Sequence, residues 1–305
     1  MSPDGKWSIG ELAELAGVTV KTVRFYSDRG LLPEAARSYG GHRRYGPEAL
    51  DRLRLIRSLR TLDLPVPDVG RVLEHEDALE EVVAGQLREL GTQLAALRWR
   101  EAALQLLQEC TPSERADRLR LIGAVTAPPS TAVLARFWRR WLPARLPARL
   151  TGAIIEQAVP QPPADPTPAQ VLAFARLHVL VTGDCDGGEL CQPAAHQADK
   201  GYRPAVLYDG LGEAYELAGK QLLAQRPPHE GEALDCFVSA YAGSHGTRDT
   251  PDFRRMLSGQ LAMDPRIDHY WELTAEVSGP SQPMPGAAHD WLCAALDIRA
   301  ARSAA

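Results

Sequence analysis

The chain has 305 residues, a net charge of -5 and 45% apolar residues, enough for about two domains with buried cores and too apolar for wholesale disorder. No run approaches the roughly 18 uninterrupted apolar residues of a membrane span. The opening MSPDGKWSIGELAEL has no apolar block ending in a small-residue cleavage site, and five scattered cysteines do not suggest a disulfide framework. A cytoplasmic protein without membrane contact is therefore expected.

The first segment, SIGELAELAGVTVKTVRFYSDRGLL, reads as helix, turn, helix. Ser8 and Glu11 have the spacing of a capping box, Ile9, Leu12, Ala13 and Ala16 lie on one helical side, and Gly17 supplies the stop. Thr19 can cap the second helix. Val20 and Val23 are expected on its inner side, with Phe25 or Tyr26, while Lys21, Thr22 and Arg24 face outward. Gly30 ends it. The loop ARSYGGHRRYG follows, then a helix opened by Pro47 with an apolar stripe of Leu50, Leu53, Ile56, Leu59 and Leu62. A fourth helix carries Val66, Val69 and Val72.

Charge is unevenly spread. Residues 1–75 hold 12 Lys/Arg against 10 Asp/Glu, and the remainder 22 against 29. Between Thr19 and Gly46 six cations face two acids, a basic patch suited to a polyanion on an otherwise acidic chain.

From about Asp77 to Gln108 the pattern changes. Val83, Leu87, Leu90, Leu94, Leu97, Glu101, Leu104 and Gln108 alternate steps of four and three, which is a heptad seam. So narrow a stripe wants a partner helix, expected from a second copy of the chain, with packing against the C-terminal region as the alternative. Val83, Leu87, Leu90, Leu94, Leu97 and Leu104 are the candidate dimerisation residues.

Thr111-Pro112-Ser113 breaks that helix and begins another. Beyond Pro128-Pro129 amphipathic helices are expected at Ala132–Leu142, Leu150–Val159, Pro168–Val181, Ala205–Ala224, Glu232–Ser244, Pro251–Ala262, Ile267–Val277 and Ala288–Arg299. Pro160–Pro168 is a linker. Apart from a short hairpin at the Gly-Gly loop, no strand is evident.

The stretches SIGELAELAGVTVKTVRFYSDRGLL and RSYGGHRRYGPEALDRLRLI, followed by the seam helix, resemble the MerR family of bacterial transcription regulators over about the first 110 residues. The resemblance implies a mainly α chain in three parts. These are a winged helix-turn-helix DNA-binding domain at 1–75, a long antiparallel coiled-coil dimerisation helix at 76–110 and an all-α effector-binding domain at 111–305. It places Gly40 and Gly41 at the wing tip and Arg43 and Arg44 on the returning strand. The candidate DNA-binding residues are Thr19, Lys21, Thr22, Arg24, Tyr26, Gly41, His42, Arg43 and Arg44. Lys21 and Arg24 are the candidate base contacts, while Tyr26, Arg43 and Arg44 position the duplex through phosphate. His42 stands where relatives carry an aromatic. Tyr45 is expected to pack the wing onto the domain, and Arg43→Ala to weaken binding to every sequence and flatten its salt dependence.

The resemblance further implies a homodimer on a palindromic promoter in double-stranded DNA. An effector then distorts the spacer so that RNA polymerase can engage it. About 190 residues after the seam exceed what a metal loop needs, and pockets between helices are lined by apolar and aromatic groups. A small organic effector, drug-like or antibiotic-like, is therefore expected. Its candidate contacts are Trp138, Trp141, Phe237, Tyr241, His245, Tyr270 and Trp271. The alternatives are a metal- or thiol-responsive regulator using Cys185 and Cys191, and a ligand-independent regulator. Cys185, Cys191 and His196 lack the usual zinc spacing. No phosphate-binding Gly-Lys motif, nucleophile elbow or zinc-protease pair occurs, so neither an enzyme nor a cofactor is expected.

Overall fold

The computed structural model describes residues 5–75, 77–183, 201–261, 265–279 and 284–304. Among these the chain is mainly α, with fourteen helices and one two-stranded hairpin. It divides into two compact units, Met1–Thr92 and Gln93–Ala305. None of the described helices is long and apolar enough to cross a membrane.

The first unit contains α1 (Ile9–Ala16), α2 (Val20–Asp28), β1 (Ala36–Arg37), β2 (Arg43–Arg44), α3 (Pro47–Arg60), α4 (Val66–Glu74) and the start of α5 (Ala78–Glu109). The Ser8–Glu11 capping box forms in both directions, and Gly17 closes α1 in the left-handed conformation at φ 64°. Leu12, Val23, Tyr45, Leu53, Ile56 and Val69 are wholly buried and form the centre of one core. Each such aliphatic side chain contributes about 1.5–3 kcal/mol by leaving water.

Two expectations fail here. Val20 is exposed, because Val23 and Tyr26 occupy the inward side of α2 and Val20, the first helical residue, points off it. Leu62 is exposed as well. The helix stops at Arg60, and the chain turns through Asp63 at φ 58°, so the stripe ends at Leu59.

The second unit contains the rest of α5, then α6 (Arg115–Gly123), α7 (Ala132–Trp141), α8 (Ala148–Ala158), α9 (Pro168–Thr182) and α10 (Pro204–Leu223). It continues with α11 (Glu232–Ser244), α12 (Pro251–Gln260), α13 (Pro265–Ser278) and α14 (Pro285–Ala304). All eight helices expected after residue 130 form within a few residues of their expected bounds. One core gathers α7 and α9 with α13, around Phe137, Phe174, Leu177 and Tyr270. Another gathers α10, α11, α12 and α14, around Leu234, Phe237 and Leu292.

Helix α5 carries two apolar faces. Trp99, Ala102, Ala103 and Leu106 are buried in the core of the second unit, and Val82 in that of the first. The heptad residues are on the other side. Leu87, Leu90, Leu94, Leu97 and Leu104 are 64%, 48%, 48%, 58% and 68% exposed, and Val83 36%. The helix does pack against the C-terminal region, but not through its seam.

Candidate nucleic-acid interface and effector cavity

The helix-turn-helix presents Lys21 and Arg24 on the outer side of α2, with Val20 and Phe25 also exposed. Thr19 caps the helix, its hydroxyl accepting from the Thr22 N–H at 3.1 Å. The two hydroxyls also share a hydrogen bond at 2.8 Å, so Thr22 is half engaged in the cap. Lys21 and Arg24 are exposed and make no ion pair among the described residues. Tyr26, a candidate phosphate donor, is buried against Phe25 and is part of the core. A residue that spacing did not single out is Arg29, whose guanidinium lies 3.8 Å from the centre of the exposed Phe25 ring.

The wing is a short antiparallel hairpin with Ala36 opposite Arg44 and Arg37 opposite Arg43. Gly41 takes φ 76° at the tip, where its N–H bonds the Ser38 carbonyl at 2.8 Å. The His42 N–H bonds the Ser38 hydroxyl at 3.1 Å. The strand then returns beside Trp7, and Trp7 and Tyr45 exchange backbone hydrogen bonds of 2.8 and 2.9 Å. Tyr45 is wholly buried and shares a hydrogen bond with the Ser27 hydroxyl at 2.9 Å, which ties the wing to α2. His42 is exposed at the tip, and Tyr39 stands fully in solvent there. Tyr45 thus packs the wing onto the domain as expected, while Tyr39 does not.

Arg43 and Arg44 part company. The Arg43 fork is held within the chain, to Asp28 at 2.5 Å and to Glu34 at 2.6 Å. Glu34 also holds Arg37 at 3.1 Å. The Asp28 hydrogen bond raises the Arg43 guanidinium above its ordinary range. The phosphate role expected of Arg43 therefore finds its Nη1 and Nε donors already engaged. Arg44 is half-buried and makes no ion pair among the described residues.

In the second unit a cavity of about 450 Å³ opens between α7, α8, α10, α11, α13 and α14. Five of the seven aromatic candidates line it, namely Trp138, Trp141, Tyr241, His245 and Trp271. The other two do not. Phe237 is wholly buried, edge-on to Tyr241 at 5.1 Å, and Tyr270 is wholly buried behind the wall. The Tyr270 hydroxyl accepts from the Trp138 indole N–H at 2.8 Å and donates to the Ala158 carbonyl at 2.8 Å. The Tyr270 ring also stands edge-on to Trp271 at 5.3 Å. A Cβ at Gly286 would lie 2.3 Å from the Trp271 ring, so only glycine lets α14 approach this wall.

Sequence reasoning missed Tyr208, Tyr215 and His289, which also line the cavity. The first two are seven apart on α10 and share a face, a signal that was available. His289 was not findable this way, because only packing brings α14 to α10. The Tyr215 hydroxyl and His289 Nδ1 are 2.9 Å apart. Burial holds the His289 imidazole down at about 4, so it is neutral at pH 7. An unfolded histidine titrates near 6.5. The stability linked to a neutral His289 is thus fully present above that pH and is lost as pH falls toward 4, by about 3 kcal/mol. Urea unfolding of the second unit at neutral and acid pH is expected to show this loss, and His289→Phe to remove most of the difference.

The alternative sensing residues Cys185 and Cys191 lie outside the described residues, as does His196. Among the described residues, no group of three His, Cys, Asp or Glu side chains could hold a metal. Burial raises the thiols of Cys236 and Cys293, the latter to about 12, so neither is poised as a reactive thiolate.

Two short helices across a glycine turn, a two-stranded wing and a long helix with an apolar outer seam define a winged helix-turn-helix protein. Residues 7–76 match the MerR HTH family regulatory protein. The HTH-type transcriptional regulator ZntR homolog of Haemophilus influenzae is 32% identical over 121 residues, covering 37% of this chain and 90% of that protein. The HTH-type transcriptional activator TipA of Streptomyces coelicolor is 34% identical over 117 residues, covering 36% of this chain and 46% of TipA. The nodulation protein NolA of Bradyrhizobium elkanii is 38% identical over 90 residues, covering 30% and 41%. The chain belongs to the MerR family of helix-turn-helix regulators. It spans less than half the length of TipA and NolA.

Proposed function

We propose that this chain is a transcription regulator that binds a palindromic promoter as a homodimer. On binding a small organic effector it distorts the promoter spacer and so controls RNA polymerase. Residues 1–75 grip the duplex, 76–110 supply an antiparallel dimer helix and 111–305 bind the effector. The observation that carries the effector part is the aromatic cavity of the second unit, where five side chains from three separate helical segments meet. Lys21 and Arg24 read base edges, Arg44 and the wing tip meet phosphate, and Tyr26 and Arg43 hold the reading elements in place.

The test is a thermal-shift screen of small aromatic molecules, followed by duplex affinity and in vitro transcription from the promoter nearest the gene. A ligand at about 100 times its dissociation constant stabilises by about 2.7 kcal/mol. A stabiliser that changes transcription supports the reading. A screen without stabilisers favours a ligand-independent regulator.

Within this reading the two wing arginines behave differently. Arg44→Ala is expected to lower affinity for every duplex and to reduce the slope of log affinity against log salt by about 0.9. Arg43→Ala is expected to lower affinity with little change in slope, because Asp28 and Glu34 already neutralise its charge. Fluorescence anisotropy over a salt series checks both.

A further inference from the structure

We infer that the cavity of the second unit takes an uncharged, flat aromatic molecule bearing a hydrogen-bonding group that meets the Tyr215–His289 pair. The inference rests on the reading of that cavity as a ligand site and adds the chemistry of its occupant.

Three observations carry it. First, the walls are ring faces and edges. Trp138, Trp141 and Trp271 stand with Tyr208 and Tyr241 around one space, a shape that accepts a planar body by offset and edge-to-face contact. These rings are held in place, since Trp138 is hydrogen-bonded to the buried Tyr270 and Trp271 is locked against Gly286. Second, none of the described lining residues is Asp, Glu, Lys or Arg. Ring faces attract a cation, but a cation entering here would give up its hydration without meeting a carboxylate, and an anion would meet neutral donors and ring faces but no lysine or arginine. Third, two of the polar lining residues, one on α10 and one on α14, are paired. Tyr215 and His289 share one hydrogen bond, which leaves the phenol oxygen a further lone pair and the imidazole its second nitrogen for a ligand.

The space also has an outlet. Gln157, Gly212, Tyr215 and Pro285 line both this cavity and a neighbouring cleft of about 770 Å³. A Cβ at Gly212 would meet nothing within 4 Å, so a substituent on the flat body can pass there, and a larger side chain can be placed there without a clash at its first atom.

The test uses three probes with one ring system: 2-naphthylmethanol, 2-naphthylmethylamine and 2-naphthoate, which are neutral, cationic and anionic at neutral pH. Isothermal titration calorimetry on the full chain is expected to show the alcohol binding about tenfold more tightly than either charged probe. Gly212→Phe is expected to weaken the alcohol by about tenfold or more with the unfolding midpoint retained. Tyr215→Phe, which keeps the ring, is expected to weaken the alcohol while leaving naphthalene itself unaffected, and it serves if Gly212→Phe does not fold. Equal or tighter binding of a charged probe, no binding of any probe, or an alcohol affinity that neither variant lowers overturns the inference. Promoter affinity measured with the alcohol bound separates the two readings. Binding without any effect on DNA by this or any screened ligand counts against the effector role and leaves the ligand chemistry standing. A charged library molecule that binds the cavity and alters transcription does the reverse.

Discussion

Leu90→Glu combined with Leu94→Glu is expected to leave a folded monomer whose affinity for a palindromic duplex is about 10²–10⁴-fold below that of the parent chain. In the parent chain both leucines face outward. Each is 48% exposed, and neither belongs to a core of its own chain, so charging them removes no intramolecular packing. With Leu87, Leu97 and Leu104 they form a stripe along a 32-residue helix that is buried on its other side at Val82 and between Ala96 and Leu106. Leucines at heptad spacing on a rigid helix lose water only against a second helix, and the proposed one is that of a second copy. Glutamates facing each other across such a seam would be buried like charges, which association cannot tolerate. A monomer holds one half-site at a time and forgoes the effective concentration that links two. Sedimentation and fluorescence anisotropy read the two effects, and circular dichroism reads retention of the helices. A variant that stays dimeric places the interface elsewhere.

Tyr270→Ala is expected to destabilise the second unit by about 3–5 kcal/mol, the range for removing a buried aromatic side chain. For a unit of this size that lowers the unfolding midpoint by roughly 10 °C. The residue is wholly buried, its ring stacks on Phe137 at 5.6 Å, and its hydroxyl joins the Trp138 indole to the Ala158 carbonyl. Removal leaves a cavity and strips Trp138 of its partner. Because Trp138 and Trp271 are cavity walls, ligand affinity is expected to fall even though Tyr270 does not line the space. Tyr270→Phe separates the contributions. It keeps the packing and loses two hydrogen bonds, each worth about 1 kcal/mol, so the midpoint should move less while the Trp138 ring loses its tether. Calorimetry and probe titration of both variants check this, and an alanine variant as stable as the parent chain would remove Tyr270 from the account.

Local signals were legible where one short stretch settles its own conformation. The Ser8–Glu11 box, the Gly17 stop, the Thr19 cap, the Pro47 helix start and the Gly41 turn each depend on residues within a few positions, and each forms as read. The same holds for the helices after residue 130, where proline and glycine mark the joints. Spacing was less informative about which face of a helix is inward. Val20 fits an apolar side by period yet is exposed, since Val23 and Tyr26 take the inward side of α2. Helix α5 shows the limit from the other direction. Its heptad stripe was evident, but Trp99, Ala102 and Leu106 form a second inward face that the stripe concealed.

The sequence by itself determined the order of the elements, the helix-turn-helix with its wing and the existence of an apolar seam, because caps, turns and periodicity act over a few residues of chain. Only the tertiary structure decided which aromatic side chains share a cavity, that Phe237 and Tyr270 stand behind it, and that Arg43 is spent on Asp28 and Glu34 while Arg44 is not. Those outcomes depend on groups far apart in the chain, such as Trp138 and Tyr270 or Tyr215 and His289, whose meeting is set by how whole helices pack.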